Sequence, residues 1–189
     1  MRSATHFLKF LAGLEAPASQ VTHRELDMLV RYASGARVIC EIGCFEGRTS
    51  VELATRCGAE VYSVDPFFKG RLGICYGEWI SRIYRKRKRA DNLNFRKGLS
   101  TDVAVRFDKK LDFVFIDADH RYEAIKADWN AWVPKLRTGG IVALHDCKQA
   151  GNSSLRMGSM KFYEEDIPAM GGVRELDSVD SLVVLQVTQ

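Results

Sequence analysis

The segment Val38-Ile39-Cys40-Glu41-Ile42-Gly43-Cys44-Phe45-Glu46-Gly47-Arg48-Thr49-Ser50 constrains the fold more than any other part of the chain. An apolar run carrying an acid near its end gives way to a glycine turn and then to a helix-forming stretch. A parallel strand entering a helix through a ligand-binding loop reads this way. Gly43 permits a tight backbone, and Gly47 permits close approach of a ligand or of the next helix. A dinucleotide fingerprint G-x-G-x-x-G begun at Gly43 needs glycine at 45 and 48, where the chain has Phe45 and Arg48. The loop therefore lacks the usual cradle for a pyrophosphate and suits a ligand without phosphates.

The rest of the chain alternates in the same manner. Residues 3–34 read as helices: Phe7, Phe10, Leu11 and Leu14 have helical spacing, and Thr22 with Glu25 fits a capping box ahead of Leu26, Leu29 and Val30. Strands are expected at Val38–Ile42, Glu60–Val64, Leu93–Arg96, Leu111–Ile116, Gly140–Leu144, Gly172–Glu175 and Leu182–Val187. Helices are expected at Thr49–Cys57, Thr101–Phe107, Tyr122–Val133 and Met160–Asp166, with a loop and a basic helix between Phe67 and Arg89 and a Gly/Ser-rich loop over Gly151–Ser159. Alternating strands and helices imply an α/β fold with a doubly wound, Rossmann-like, mostly parallel sheet. In such sheets a ligand sits beyond the carboxyl ends of the strands. Glu41, Asp65, Asp117, Asp119, His145 and Asp146 all fall at or just past a strand's end, an arrangement that stability alone does not ask for.

At 189 residues, 46% hydrophobic and 28% charged, the chain has the size and composition of one globular domain spanning 1–189, with N-terminal helices over 1–34 and an α/β core over 36–187. No apolar run approaches the roughly 20 residues of a membrane span, and Met1–Ala12 has no apolar core followed by a small-residue cleavage site. No membrane partner and a cytoplasmic location are expected. The five cysteines form no C-x-x-C pair and read as reduced thiols. The net charge of +4 is concentrated at Arg82–Arg89. That segment reads as a solvated helix face, as a contact for an anionic acceptor, or as a nucleic-acid contact through phosphate affinity.

The spacing E-I-G-x-x-x-G-x-[ST]-S at 41–50 resembles the first motif of class I S-adenosylmethionine-dependent methyltransferases. The second half carries more: Ile116-Asp117-Ala118-Asp119-His120-Arg121-Tyr122, then Asp128, then Leu136-Arg137-Thr138-Gly139-Gly140 and His145-Asp146. This is similar to the I-D-[AG]-x-H-x-Y … D … L-x-x-G-G … H-D pattern of a subfamily that includes catechol-type and macrocin- and novobiocin-type sugar O-methyltransferases. The resemblance covers most of residues 36–187. It implies a seven-stranded sheet with the last strand antiparallel and helices on both faces.

The resemblance also implies roles. Glu41, Gly43, Cys44, Gly47 and Ser50 would hold the methionine part of S-adenosyl-L-methionine, with Glu41 near its ammonium group. Asp65 and Pro66 would meet the ribose, a carboxylate being suited to charge-assisted bonds from both hydroxyls. Leu99 and Ser100 would meet the adenine, and Asp117 the cofactor or a metal. Asp117, His145 and Asp146 stand where metal-dependent relatives place a divalent cation such as Mg, Mn or Ca. Asp119 is the first candidate general base and His120 the second. Tyr122, Trp129 and Trp132 read as core, while Phe67, Phe68 and Trp79 read as either packing or acceptor pocket. The expected reaction is O-methylation of a sugar or small-molecule hydroxyl, with metal assistance. An RNA methyltransferase using helix 82–89 and a non-catalytic scaffold are the alternatives, and a homo-oligomer is open.

Overall fold

Seven strands form one sheet in the order β3-β2-β1-β4-β5-β7-β6. The chain enters through α1 (Ala4–Leu11) and α2 (His23–Ala33). It then alternates β1 (Val38–Ile42), α3 (Arg48–Cys57), β2 (Glu60–Asp65), α4 (Tyr76–Arg87), β3 (Leu93–Lys97), α5 (Ser100–Val105), β4 (Leu111–Ile116), α6 (Tyr122–Trp132) and β5 (Leu136–Leu144). It closes with α7 (Gly158–Lys161), a π-helical turn (Phe162–Asp166), α8 (Ile167–Met170), and the hairpin of β6 (Val173–Val179) and β7 (Leu182–Val187). The first five strands pair in parallel, and β7 runs antiparallel to both β5 and β6. The computed structural model describes residues 4–70, 73–149 and 157–188. The Gly/Ser-rich loop expected at Gly151–Ser159 lies outside the described residues over 151–156.

The period-2 alternation of each strand divides the core into two layers. Cys40, Ile42, Tyr62, Val64, Val114, Ile116, Val142 and Leu144 face α5, α6 and the C-terminal helices, where Phe107, Trp129, Trp132 and Phe162 fill the space. Ile39, Val61, Leu93, Phe113, Phe115 and Ala143 face the other way, against Leu29 and Ala33 of α2 and Val51, Leu53 and Ala54 of α3. Each such side chain contributes about 1.5–3 kcal/mol by leaving water. The expected core assignment of Trp129 and Trp132 holds, at 6% and 0% exposed. Helix α2 starts as its sequence indicates: Glu25 N–H donates to Thr22 Oγ1 at 3.2 Å, and Thr22 N–H donates to Glu25 Oε2 at 2.8 Å.

Three elements depart from their expected bounds. Strand β5 begins at Leu136, because Leu111 pairs with Leu136 while Phe113 pairs with Ile141. The surplus residues bulge out around Gly139, which hides the strand's start from a search for unbroken β-formers. Strand β6 runs to Val179, past its expected end at Glu175, through an irregularity between Glu175 and Asp177. The last helix extends over 158–170 rather than 160–166, through a π turn. Pro168 lacks the N–H that would bond back to Glu164, and a widened turn accommodates that loss.

Candidate active site

The parallel ladder continues one residue beyond several strand ends, and this builds the site. Gly43 N–H donates to Val64 O at 2.9 Å, Asp117 N–H to Ile42 O at 2.8 Å, and His145 N–H to Ile116 O at 3.1 Å. The first two flank the point where strand order reverses between β1 and β4, the crevice where open α/β sheets bind ligands. A Cβ on Gly43 would lie 2.1 Å from Asp117 O, so only glycine lets the two strand ends meet. Gly47 serves the neighbouring helix rather than a ligand: its Cβ would lie 2.8 Å from the Cβ of Ser81 in α4. Phe45, Phe67 and Asp146 have φ of 55°, 47° and 53°. Such backbone strain in non-glycine residues concentrates at functional loops.

A cavity of about 500 Å³ opens at this crevice. Of the residues assigned to a cofactor from sequence, Glu41, Gly43, Cys44, Asp65, Pro66, Leu99, Ser100 and Asp117 form its wall, joined by Asp119. Ser50 lies beneath the wall and holds Glu41. His145 and Asp146 stand off the wall, with His145 against Asp117, and His120 lies beside the cavity with its side chain 27% exposed. Leu99 is exposed and Phe68 is 76% exposed at the mouth, whereas Phe67 is buried against Phe95. Trp79 packs with Phe7 and Tyr76 and takes no part in the wall.

Glu41 is the most unusual group in the cavity. It is 2% exposed, and Ser50 and Ser63 donate their hydroxyls to its Oε2. Burial pushes its carboxyl up to about 8, against the two serine bonds, and the charges of Asp117 and Asp65 push the same way. It is therefore no solvated strand-end acid, and among the described residues no cation pairs with it.

The Asp65 carboxylate organises the loop. Its Oδ2 accepts from Cys44 N–H at 2.9 Å and Phe45 N–H at 3.0 Å, and its Oδ1 from Phe67 N–H at 2.6 Å. With three of about four acceptor sites used, one ribose hydroxyl fits where the sequence reading expected two.

Asp119 is held by its neighbour. Arg121 grips both oxygens, with Nε at 3.0 and 2.9 Å and an Nη at 2.5 Å. That side-chain bond keeps the Asp119 carboxyl below its ordinary range. A carboxylate so held is a weakened proton acceptor, which counts against Asp119 as the base. His120 Nε2 faces Asp146 Oδ2 at 3.4 Å.

His145 is 3% exposed and stands among three carboxylates. Its Nε2 meets Glu25 Oε2 at 3.3 Å, and its Nδ1 meets Asp117 Oδ1 at 3.1 Å and Asp146 Oδ2 at 3.5 Å. Burial opposes the imidazolium, but the facing carboxylates of Asp117, Asp146 and Glu25 outweigh it and hold the pKa well above its usual range. The imidazole in turn keeps Asp146 low. The three expected metal ligands thus contact one another, with the imidazole itself between the carboxylates. Among the described residues no three His, Cys, Asp or Glu side chains are grouped to hold an ion, while His145 Nδ1 is buried without a hydrogen-bond partner.

Several site residues escaped the sequence reading. Ala18, Ser19 and Gln20, from the segment between α1 and α2, line the cavity, as do Arg48, Thr49 and Asp128. Glu46 is 0% exposed and accepts from Ala18 N–H at 2.7 Å, with His6 Nε2 at 3.0 Å. The signal for Glu46 was its position inside the glycine turn, but its partners lie 28 and 40 residues away. Much of the basic segment does structural work. Arg82 pairs with Glu78, Arg85 donates to Ala90 O and Asp91 O, and Arg87 donates to Phe10 O and Leu11 O at 2.8 Å each.

Strand order, crevice and acid-lined cavity together define a doubly wound nucleotide-type binding fold. Residues 40–147 match the family model described as a methyltransferase domain, and the chain belongs to that family. A curated relative, the uncharacterized protein y4gI of Sinorhizobium fredii, is 28% identical over 140 residues, which is 66% of this chain and 14% of that protein. The chain thus spans about one seventh of that relative's length. Two solved structures share the fold. The O-methyltransferase from Bacillus cereus in complex with SAH has 22% identity and a TM-score of 0.74, covering 100% of this chain and 92% of that one. TomG from Streptomyces achromogenes, an O-methyltransferase involved in tomaymycin synthesis in complex with SAM, has 17% identity and a TM-score of 0.71, covering 97% and 87%. Among the described residues no helix is long and apolar enough to cross a membrane.

Proposed function

We propose that the chain transfers a methyl group from S-adenosylmethionine to a hydroxyl of a small-molecule or sugar acceptor. The observation that carries this reading is Glu41, a buried acid with no cation partner at the floor of the cavity, whose carboxyl burial raises to about 8. A ligand bringing a positive charge there relieves that cost, and S-adenosylmethionine brings both an ammonium and a sulfonium. When bound it supplies the electrophilic methyl group. The chain positions and deprotonates. Glu41 takes the ammonium, and Asp65 one ribose hydroxyl. Leu99, Pro66 and Ala124 flank the base, and Arg48 at the start of α3 meets the carboxylate. Positioning of this kind supplies about 7–11 kcal/mol of a transfer barrier.

The acceptor hydroxyl's proton would go to His120, oriented by Asp146, as its oxygen bonds to the methyl carbon and the methyl carbon–sulfur bond breaks to leave S-adenosylhomocysteine. A buried imidazolium at His145 balances Asp117 and Asp146, so this reading routes no step through a metal. The test is calorimetry with S-adenosylhomocysteine, followed by a methyl-transfer screen over hydroxylated acceptors with and without EDTA. Absence of cofactor binding overturns the reading in favour of a scaffold. Turnover lost in EDTA and restored by Mg or Mn would return Asp117, His145 and Asp146 to the ligand role. RNA added to the assay is expected to leave turnover unchanged, because Arg82, Arg85 and Arg87 are already engaged within the fold.

A further inference from the structure

Asp128 is the one cavity acid that the reading above leaves without work. It lies on α6, on the wall of the cavity, and is 5% exposed. A buried carboxylate ordinarily has a cation or several donors. The groups acting on this one are Ser100, whose hydroxyl bonds to it, and Asp119, whose charge repels it, and burial pushes its carboxyl above the ordinary range. Ser100 is itself fixed. Trp132 Nε1–H donates to Ser100 Oγ at 2.7 Å, which leaves the hydroxyl proton free to point at Asp128. That single bond uses one of roughly four acceptor sites on the carboxylate. Asp128 lines the cavity, so a ligand there can reach the remaining sites.

The position along the cavity identifies what would meet them. Glu41 and the glycine turn mark one end, and Asp65 lies between that turn and Pro66. Leu99, Ser100 and Thr101 follow β3, on the far side of β2 from β1, and the Trp132–Ser100 bond brings α6, with Ala124 and Asp128, beside them. A ligand whose charged end is at Glu41 and whose ribose is at Asp65 places its base there, against the small Ala124 and Ala127. We propose, resting on the cofactor reading above, that Asp128 accepts the N–H of the exocyclic amine of adenine. It would thereby make the cavity selective for adenine over a purine that lacks that amine. Ser100 acts through Asp128 as a positioning residue, held in turn by Trp132.

The test compares two ligands by calorimetry: S-adenosylhomocysteine and its 6-deamino purine analogue, which differs only in lacking the amine. The wild-type chain is expected to bind the analogue about 10–100-fold more weakly, because its entry leaves the buried carboxylate unpaired. In Asp128→Ala the two affinities are expected to converge to within about threefold, the ordinary spread for a change that removes no bond. A role confined to holding the helix predicts equal losses for both ligands and an unchanged ratio, and that result overturns the proposal. Equal binding of both ligands by the wild-type chain overturns it too, and that comparison stands even if Asp128→Ala does not fold. Failure of the wild-type chain to bind S-adenosylhomocysteine at all overturns the cofactor reading itself. That outcome is distinct from binding without discrimination.

Discussion

Glu41 shows how a single residue trades stability for binding. Its folded-state pKa of about 8 stands above the ordinary 4.5. The folded chain therefore holds a proton that the unfolded chain has released, and stability falls as pH rises from 4.5 through 8. Glu41→Gln keeps the shape and removes the titration. At pH 9, without ligand, it is expected to be more stable than wild type by a few kcal/mol (on the order of the pKa difference); near pH 4 the gain should vanish in thermal melts. The same substitution should weaken S-adenosylhomocysteine binding at least tenfold. A bound ammonium favours ionised Glu41, so wild-type affinity should rise with pH up to about 8, and binding near neutrality should release a proton. Calorimetry in two buffers of different ionisation enthalpy reads that proton. An unchanged heat would contradict the assignment. For the base, His120→Ala is expected to lower kcat about 10²–10⁴-fold, while Asp119→Asn should keep turnover within about fivefold, since Arg121 already occupies that carboxylate. The rim of acids was legible in the sequence because a parallel sheet presents its strand ends on one side. The engagement of Asp119 was not, since it depends on how the loop between β4 and α6 folds Arg121 back.

Among the elements, α2 carries the clearest case of a local signal with a distant purpose. Thr22 and Glu25 announce a capping box, and the cap is there. What the spacing cannot announce is that Glu25 is 1% exposed and also bonds Ser181 N–H at 3.0 Å, Ser181 Oγ at 2.8 Å and His145 Nε2 at 3.3 Å. One carboxylate thus fastens the helix to the end of β5 and to the β6–β7 turn. Burial alone would raise its pKa, but His145, Thr22 and Ser181 bring it down to about 2. Removing one partner of a buried pair strands the other. Glu25→Ala is therefore expected to lose about 3–5 kcal/mol of stability, measured by denaturant melts at pH 6. The pair's contribution should fade as pH falls from 4.5 toward 2, where Glu25 takes up its proton, so the gap between variant and wild type narrows at pH 3. A constant gap would mean that the loss is one of packing. The strands and helices of the core were legible through their periodicity of 2 and 3.6. The bulge near Gly139 and the π turn before Pro168 were not, because each inserts residues that break the count.

Taken whole, the molecule closes its cavity with its own N-terminal segment. Helix α1 is fixed to α4 by Arg87, which donates to the last carbonyls of α1 at 2.8 Å and lies 4.6 Å over the Phe10 ring. Glu46 fixes both α1 and the segment after it to the glycine turn, through His6 at 3.0 Å and Ala18 N–H at 2.7 Å. At and just beyond the second attachment, Ala18, Ser19 and Gln20 form part of the cavity wall. Neither attachment touches the floor at Glu41 or Asp65, so loosening either one should act on ligand exchange more than on ligand recognition. A hydrogen bond to a buried carboxylate is worth about 1.5–3 kcal/mol. Glu46→Ala is therefore expected to speed S-adenosylhomocysteine dissociation about tenfold or more in stopped-flow displacement. Arg87→Ala should do the same from the opposite end, although it lies on the basic helix and far from the cofactor. If the N-terminal segment closes the cavity as one body, the two effects will not add, because release of either end already frees the wall. Additive effects would mean that each substitution loosens its own local contacts, and that the segment around Ala18 does not close the cavity as a unit.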